Sequence, residues 1–189
     1  MKPSWRVWTS RTWVVTGLGA LLYWATSWIG IPITTTVELR PGIALLTVLG
    51  ALFGPVVGFI AGFAGHAIND LLMDGTVWWG WALGSGMTAA FMGLICLSRG
   101  FDAHEGRMEK RHLIRFVLYG TVGIFVSLLF SGIFDALVLR EPLGSLAEQV
   151  LYAGIANVAV FLIVGLPAVW AYAKRNRGSV QPTQNRQYK

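Results

Sequence analysis

The sequence predicts an all-α integral membrane protein with six transmembrane helices and both termini in the cytoplasm. Three observations lead to this prediction. Of the 189 residues, 54% are hydrophobic and 13% are charged, whereas a soluble domain carries about 25% charged residues. Apolar runs recur that approach the roughly 20 residues needed to cross a bilayer core. The basic residues gather in three segments, which an even number of spans places on one side of the membrane.

The apolar runs give the positions of the predicted helices. These are residues 12–29, 41–53, 55–73, 77–98, 113–139 and 147–173. Together they form one membrane domain, residues 1–173, followed by a basic cytoplasmic tail, residues 174–189, that we expect to be disordered. The second run is short, so Gly54-Pro55 is either a tight turn or a kink in one long helix.

The charge distribution favours the turn at Gly54-Pro55. Of the 15 Lys and Arg residues, only Arg40 and Arg140 lie outside the N-terminal segment, the region 99–115 and the tail. Lys and Arg concentrate in cytoplasmic segments, and six spans place all three segments there. The net charge of +6 is therefore interpreted as a topology signal of a multi-pass cell-membrane protein, not as a nucleic-acid surface. The single cysteine, Cys96, excludes an internal disulfide.

One stripe of residues singles out the third helix. Gly54, Gly58, Gly62, His66 and Asp70 recur at every fourth position, so they share one face of a helix. Its glycine part allows a neighbouring helix backbone to approach closely. Its polar part would be unfavourable against lipid. We call these five residues the small-residue stripe and expect it to face protein rather than lipid.

Polar residues at the same end of the predicted helices are candidates for binding a small molecule. His66, Asn69 and Asp70 lie on one face. The other candidates are Thr34, Thr35, Thr36, Glu38 and Arg40 after the first helix, Trp78 and Trp81 at the start of the fourth, Asp135 in the fifth and Asn157 in the sixth. Structural alternatives stay open: a solvated loop, an interfacial helix end, an aromatic belt, or a polar contact between helices.

The sequence argues against catalysis by this chain. No further His or carboxylate completes a metal triad with His66, so we expect neither metal nor cofactor. Gly84-Ser85-Gly86 is similar to the nucleophile motif of intramembrane serine proteases, but Leu83 stands where that motif needs glycine. No nucleophilic residue stands at a spacing in the sequence that would pair it with His66. The sequence also has no phosphate-binding loop of the kind that ATP hydrolysis needs. The chain is therefore predicted not to be an enzyme.

The first helix carries a pair of small residues for helix packing. Thr16 and Ala20 are four residues apart and therefore share a face. Spacing alone leaves open whether that face packs against this chain or against a partner.

These residues together resemble the substrate-binding (S) components of energy-coupling factor (ECF) vitamin transporters, and among these the riboflavin-type or uncharacterised subgroup. The resemblance is carried by residues 51–72, ALFGPVVGFIAGFAGHAINDLL, and by WWGW at 78–81. It implies a six-helix subunit that binds a vitamin at the outer face under the loop between the first two helices. It also implies association with a transmembrane coupling subunit, through Thr16 and Ala20, and with two cytoplasmic ATPases that hydrolyse ATP.

The substrate is less constrained than the family. Cobalamin is favoured on size and on the absence of a dense charged cluster in the sequence, with riboflavin as the alternative and thiamine precursors also compatible. Two other classes stay open. One is a secondary transporter that uses His66 and Asp70 as a proton relay; the other is a membrane protein in which the small-residue stripe serves packing alone.

Overall fold

Helices make up most of the chain. The computed structural model describes residues 9–32, 38–140 and 142–177, apart from the side chains of Glu38, Leu143, Ser145 and Leu146. The helices are α1 (Ser10–Ser27), α2 (Gly42–Phe53), α3 (Pro55–Met73), α4 (Trp79–Gly93), α5 (Lys110–Val138), α6 (Leu143–Val160) and α7 (Leu166–Arg177). A 3-10 turn, Leu94–Leu97, continues α4, and a π-helical turn, Phe161–Gly165, joins α6 to α7.

Four helical stretches in the described part of the chain are long and apolar enough to cross a membrane. They are Pro55–Met73, Trp79–Leu97, Lys110–Val138 and Ala147–Arg177, while Gly42–Phe53 is apolar but shorter. At 1.5 Å per residue, the 12 residues of α2 extend about 18 Å, which is less than a bilayer core. The predicted helices therefore exist near their predicted bounds, whereas a count of six spans stays a prediction.

The connection between α2 and α3 is a tight turn at Gly54. Gly54 has φ 90°, a backbone conformation that glycine adopts readily, and Pro55 occupies the first position of α3, where its missing N–H costs nothing. Gly50 and Gly58, on either side of the turn, lie close together: a Cβ on Gly58 would stand 3.1 Å from Cα of Gly50. The chain thus reverses at Gly54, and the kink alternative is excluded.

The small-residue stripe packs against α4. A Cβ on Gly62 would lie 2.8 Å from the carbonyl oxygen of Ser85, and one on Gly58 would lie 2.9 Å from that of Ala89. A side chain at either position would push the two backbones apart. The prediction that the stripe faces protein is confirmed, and α3 and α4 form a closely packed helix pair.

The small-residue pair on α1, Thr16 and Ala20, faces the interior of the chain. The family resemblance implied instead that this pair contacts the coupling subunit. Thr16 is 4% and Ala20 is 6% exposed, and a Cβ on Gly65 of α3 would lie 2.5 Å from the carbonyl oxygen of Ala20. Ala20 therefore packs α1 against α3 within the chain, and the buried pair is not open to another protein in this structure. The exposed face of α1 instead carries Trp13, Val14, Gly17, Leu18 and Leu21.

The loop between α4 and α5 is fastened to the end of α7. A bridge pairs Asp102 with Arg107. The ring of His104 lies 2.9 Å from both the Tyr172 hydroxyl and the Leu52 carbonyl oxygen. Arg177 donates hydrogen bonds to the Gly106 and Met108 carbonyls. We call this end of the molecule the basic end.

The opposite end, here the cavity end, carries a short hairpin. Strand β1 (Ile31–Pro32) pairs antiparallel with β2 (Glu38–Leu39), in the register Ile31 with Leu39 and Pro32 with Glu38. Residues 33–37 lie outside the described residues.

At the C-terminal side of the chain, α7 continues to Arg177, four residues beyond the predicted helix end. The disorder of the tail stays a prediction, because residues 178–189 lie outside the described part.

Candidate functional site

A cavity of about 410 Å³ opens at the cavity end between the helices. Its walls come from the six helices α1 to α6, with Ile43 as the contribution of α2, and from Arg40 beside β2. Asp74 and Trp78, both exposed, lie in the connection between α3 and α4 and mark the mouth. The volume lies within the range of about 300–1,000 Å³ typical of small-molecule sites.

Most of the candidate ligand-binding residues meet in this cavity. Those that line it are Arg40, His66, Asn69, Asp70, Trp78, Trp81, Asp135 and Asn157. They come from four helices and two connections, and the fold brings these segments together. Thr34, Thr35 and Thr36, together with the side chain of Glu38, lie outside the described residues. Trp79, between two lining tryptophans, stacks on Phe63 instead and is 54% exposed.

A chain of polar groups runs along one wall and links three helices. The Tyr23 hydroxyl lies 3.2 Å from Oγ of Ser85, and that Oγ lies 2.6 Å from Nδ1 of His66. Nε2 of the same ring lies 3.4 Å from Oδ1 of Asp70. With Nε2–H facing the carboxylate, Nδ1 accepts from the Ser85 hydroxyl. Tyr23 then donates to Ser85, which gives every group in the chain one consistent role.

Sequence reasoning missed this pairing of His66 with a hydroxyl. Asp70, His66 and Ser85 follow one another in the order of a hydrolase triad. Such enzymes also need backbone N–H groups aimed at the developing oxyanion. Ser85 lies in the middle of α4, where the N–H groups are used by the helix. The arrangement fits the holding of a ligand and not its cleavage.

Two buried carboxylates are each hydrogen-bonded to a tryptophan at the cavity mouth. The Trp78 backbone N–H donates to Oδ2 of Asp70 at 3.1 Å. The indole Nε1–H of Trp81 donates to Oδ2 of Asp135 at 2.6 Å. Asp70 is 4% and Asp135 is 3% exposed. Both carboxylates are thus held in place on one side and line the cavity.

Several cavity residues were not among the sequence candidates. They are Tyr23, Ile43, Asp74, Gly84, Ser85, Thr88, Leu128, Ser131, Gln149 and Ala153. For two of the contributing helices a signal existed. Tyr23 follows Ala20 by three residues, so the inward face of α1 that carries the small pair carries Tyr23 as well. Ser85 and Thr88 form a polar pair, three residues apart, on a helix that is otherwise apolar.

The polar wall does not continue toward the basic end. One turn beyond Thr88, Met92 is fully buried, and it packs in a core with Leu46, Phe116 and Phe161. Among the described residues, no group of three His, Cys, Asp or Glu side chains could hold a metal ion. The described part of the chain therefore offers a closed-bottomed polar cavity, which suits capture of a molecule better than conduction of protons.

Comparisons with known proteins agree with this architecture. A family model described as "ECF-type riboflavin transporter, S component" matches residues 7–174. A protein of Streptococcus sanguinis (strain SK36) named "UPF0397 protein" is 34% identical over 169 residues, which cover 88% of this chain and 92% of that protein. A solved structure of FolT bound with folic acid is similar with a TM-score of 0.60 at 15% identity, covering 88% of this chain and 96% of that one.

The family model and the relative confirm the predicted family, and the similarity to FolT shows a shared fold. The chain therefore belongs to the family of ECF-type riboflavin transporter S components, which are membrane subunits of vitamin transporters.

Proposed function

We propose that this S component captures a vitamin of flavin size or smaller in the cavity and delivers it into the cell. Delivery requires association with a transmembrane coupling subunit and two cytoplasmic ATPases. The observation that carries the proposal is the cavity itself: about 410 Å³, walled by six helices and lined by polar and aromatic side chains. No packing role explains so many polar groups that converge on an open space.

The cavity volume favours a small vitamin over cobalamin. A site of about 410 Å³ lies at the lower end of the range for drug-sized ligands. A corrinoid is several times bulkier than a single fused-ring heterocycle, so it would remain mostly outside. Riboflavin and smaller heterocycles fit the enclosed volume. Cobalamin, which the sequence favoured on size, therefore ranks below them.

The ionisable groups around the cavity support the same choice. The sequence argument for cobalamin relied on the absence of a dense charged cluster. Folding gathers Arg40, His66, Asp70, Asp74 and Asp135 around one space. Several converging ionisable side chains are typical of a site that orients a small polar ligand.

We further propose that the cavity faces the outside and the basic end faces the cytoplasm, with both termini cytoplasmic. Arg99, Arg107, Lys110, Arg111 and Arg177 all belong to the basic end or its adjoining helix starts. Such a concentration favours the cytoplasmic side. With the basic end in the cytoplasm, the cavity end faces the outside, where the vitamin is captured.

Contact with the coupling subunit is assigned to the exposed face of α1. Thr16 and Ala20, which the resemblance suggested for this role, are buried. Gly17 lies on the outward face, and a Cβ added there would meet no atom of the described residues within 4 Å. A partner helix could approach α1 closely there, because glycine leaves the backbone uncovered.

The substrate is tested by purifying the protein and identifying what it retains. Mass spectrometry and absorption of the denatured sample should yield a vitamin of flavin size or smaller. Equilibrium binding with riboflavin and with cobalamin then compares the two expected sizes. Tight binding of cobalamin, with none of any smaller vitamin, would refute the size argument.

The partner contact is tested by Gly17→Trp, with Gly144→Trp as the matched control. Both glycines have open space around the Cβ position, so neither change disturbs the interior. Gly17→Trp should leave vitamin binding intact and abolish ATP-dependent uptake, while Gly144→Trp should affect neither. Normal uptake by Gly17→Trp would show that this face of α1 does not contact the coupling subunit.

A further inference from the structure

A second, smaller cavity lies at the basic end, between the loop after α4 and the last turns of α7. Its volume is about 130 Å³, below the roughly 300–1,000 Å³ typical of sites that enclose a whole small molecule. It therefore suits a single small group. The residues that line it, here called the basic-end pocket, are Gly106, Met108, Trp170, Ala173, Lys174 and Arg177. Two of them are cations and none is acidic.

Arg177 is held in place at this pocket and keeps hydrogen-bonding capacity for a ligand. Its guanidinium donates to the carbonyl oxygens of Gly106 and Met108, at 3.2 and 3.3 Å. A guanidinium carries five N–H donors, so these two bonds leave three. Its planar geometry matches the oxygens of a phosphate or carboxylate.

Lys174 contributes a second cation, which lies over an aromatic ring. Its Nζ is 5.1 Å from the centre of the Trp170 ring. Lys174 follows Trp170 by four residues on α7, so both side chains share one face of the helix. The ring positions the ammonium but does not neutralise it, and an ammonium has three N–H donors.

No carboxylate among the described residues forms an ion pair with Lys174 or Arg177. The three acidic residues of the basic end pair with other guanidiniums: Asp102 and Glu105 with Arg107, and Glu109 with Arg111. The segments 1–8 and 178–189, which lie outside the described part, contain no Asp or Glu. The pocket therefore keeps a positive charge that an anion would compensate.

The pocket lies at the height of a lipid headgroup. Helix α7 ends the stretch Ala147–Arg177, which is long and apolar enough to cross a membrane. Near the middle of that stretch, Ile163 is 74% exposed. Lys174 lies about 16 Å further along the axis, at 1.5 Å per residue, and half a bilayer core is about 15 Å thick. The half-exposed Trp170, one turn before Lys174, occupies the interfacial level that indole rings prefer.

We propose that the basic-end pocket binds the phosphate of an anionic phospholipid. Lys174 and the remaining N–H groups of Arg177 contact the phosphate oxygens, the indole of Trp170 packs beside the glycerol, and the acyl chains follow the exposed apolar surface toward Ile163. A free phosphate would use the two cations but not this apolar surface. Basic pockets beside membrane-spanning helices are suited to anionic headgroups. The site is separate from the vitamin cavity and does not depend on the vitamin's identity.

The test measures lipid binding to the purified full chain in a neutral detergent, where no anionic surface adds a general attraction. Native mass spectrometry gives the dissociation constants of phosphatidylglycerol, of phosphatidylcholine with the same acyl chains, and of soluble glycerol 3-phosphate. Phosphatidylglycerol should bind roughly tenfold or more tightly than either of the others. The choline headgroup brings its own cation, and glycerol 3-phosphate lacks the acyl chains.

Lys174→Gln locates the binding to the pocket, with Arg175→Gln as the matched control. Both residues are exposed on the last turns of α7, and both changes remove one positive charge, but Arg175 does not line the pocket. Lys174→Gln should weaken phosphatidylglycerol binding about tenfold, as expected for a lost charge-assisted contact. Lys174→Arg should retain most of the affinity, and Arg175→Gln should leave it unchanged.

Three results would overturn the proposal. Equal affinity for the two lipids would remove the anionic headgroup, and equal losses in Lys174→Gln and Arg175→Gln would leave only a diffuse attraction. Binding of glycerol 3-phosphate as tight as that of phosphatidylglycerol would exclude a lipid as the specific occupant. The comparison of ligands uses the wild-type chain, so the proposal stays testable if a variant fails to fold. Vitamin binding should be the same in all three variants, because the vitamin cavity lies at the opposite end.

Discussion

Ser85→Ala tests the polar wall of the cavity, because one hydroxyl connects two other buried groups. Its Oγ lies 2.6 Å from Nδ1 of His66 and 3.2 Å from the Tyr23 hydroxyl. A hydrogen bond contributes a net 0.5–1.5 kcal/mol on average, and values measured between membrane helices average about 0.6 kcal/mol. Loss of both bonds should therefore lower the free energy of unfolding by about 1–3 kcal/mol.

The measurement is thermal unfolding of the detergent-solubilised protein. For a chain of this size, about 2 kcal/mol corresponds to a fall in Tm of roughly 4–8 °C. Ser98→Ala is the matched control, because the buried Ser98 hydroxyl has no hydrogen-bond partner among the described residues. Removal of that hydroxyl should change Tm little.

A double-mutant cycle distinguishes a connected network from separate contacts. Tyr23→Phe removes only the hydrogen bond to Ser85. It should therefore lower the free energy of unfolding very little when Ser85 is already alanine. Additive effects of Tyr23→Phe and Ser85→Ala, or a Ser85→Ala variant as stable as Ser98→Ala, would refute the network.

Three further substitutions test the site and its supports. Trp81→Phe removes the 2.6 Å bond to Asp135 and should weaken vitamin binding about tenfold or more in calorimetry; unchanged affinity would remove this pair from the site. Gly62→Val places side-chain atoms against the Ser85 carbonyl, so thermal unfolding should show a loss of about 1–3 kcal/mol; wild-type Tm would contradict the close packing. Ala20→Trp should impair folding, seen as reduced monodisperse yield, because the position is buried; a well-folded variant defective only in uptake would restore this residue to the coupling contact.

The helices were largely predictable because apolar runs and their breaks are local signals. The predicted range 55–73 coincides with α3, and Gly54-Pro55 marks its start. The small-residue stripe also predicted which face of α3 meets another helix, since only close packing explains glycine at every fourth position. The prediction did not say that the neighbour is α4.

The site was predictable only in part, since its contacts join residues far apart in the chain. Tyr23 and Ser85 are 62 positions apart, and Trp81 and Asp135 are 54 apart. No local pattern encodes such pairings, which depend on how whole helices pack. The face of α1 was ambiguous for the same reason: a small-residue pair fits a neighbour within the chain as well as a partner.

The central claim is that a vitamin enters the cavity from outside the cell. Cys96 is the single cysteine, so Asn69→Cys in a Cys96→Ser background gives one labelling site at the cavity wall. In intact cells, a membrane-impermeant maleimide should label this cysteine, and excess of the vitamin retained by the purified protein should block the labelling. Labelling that requires permeabilised cells, or that the vitamin leaves unchanged, would contradict the claim.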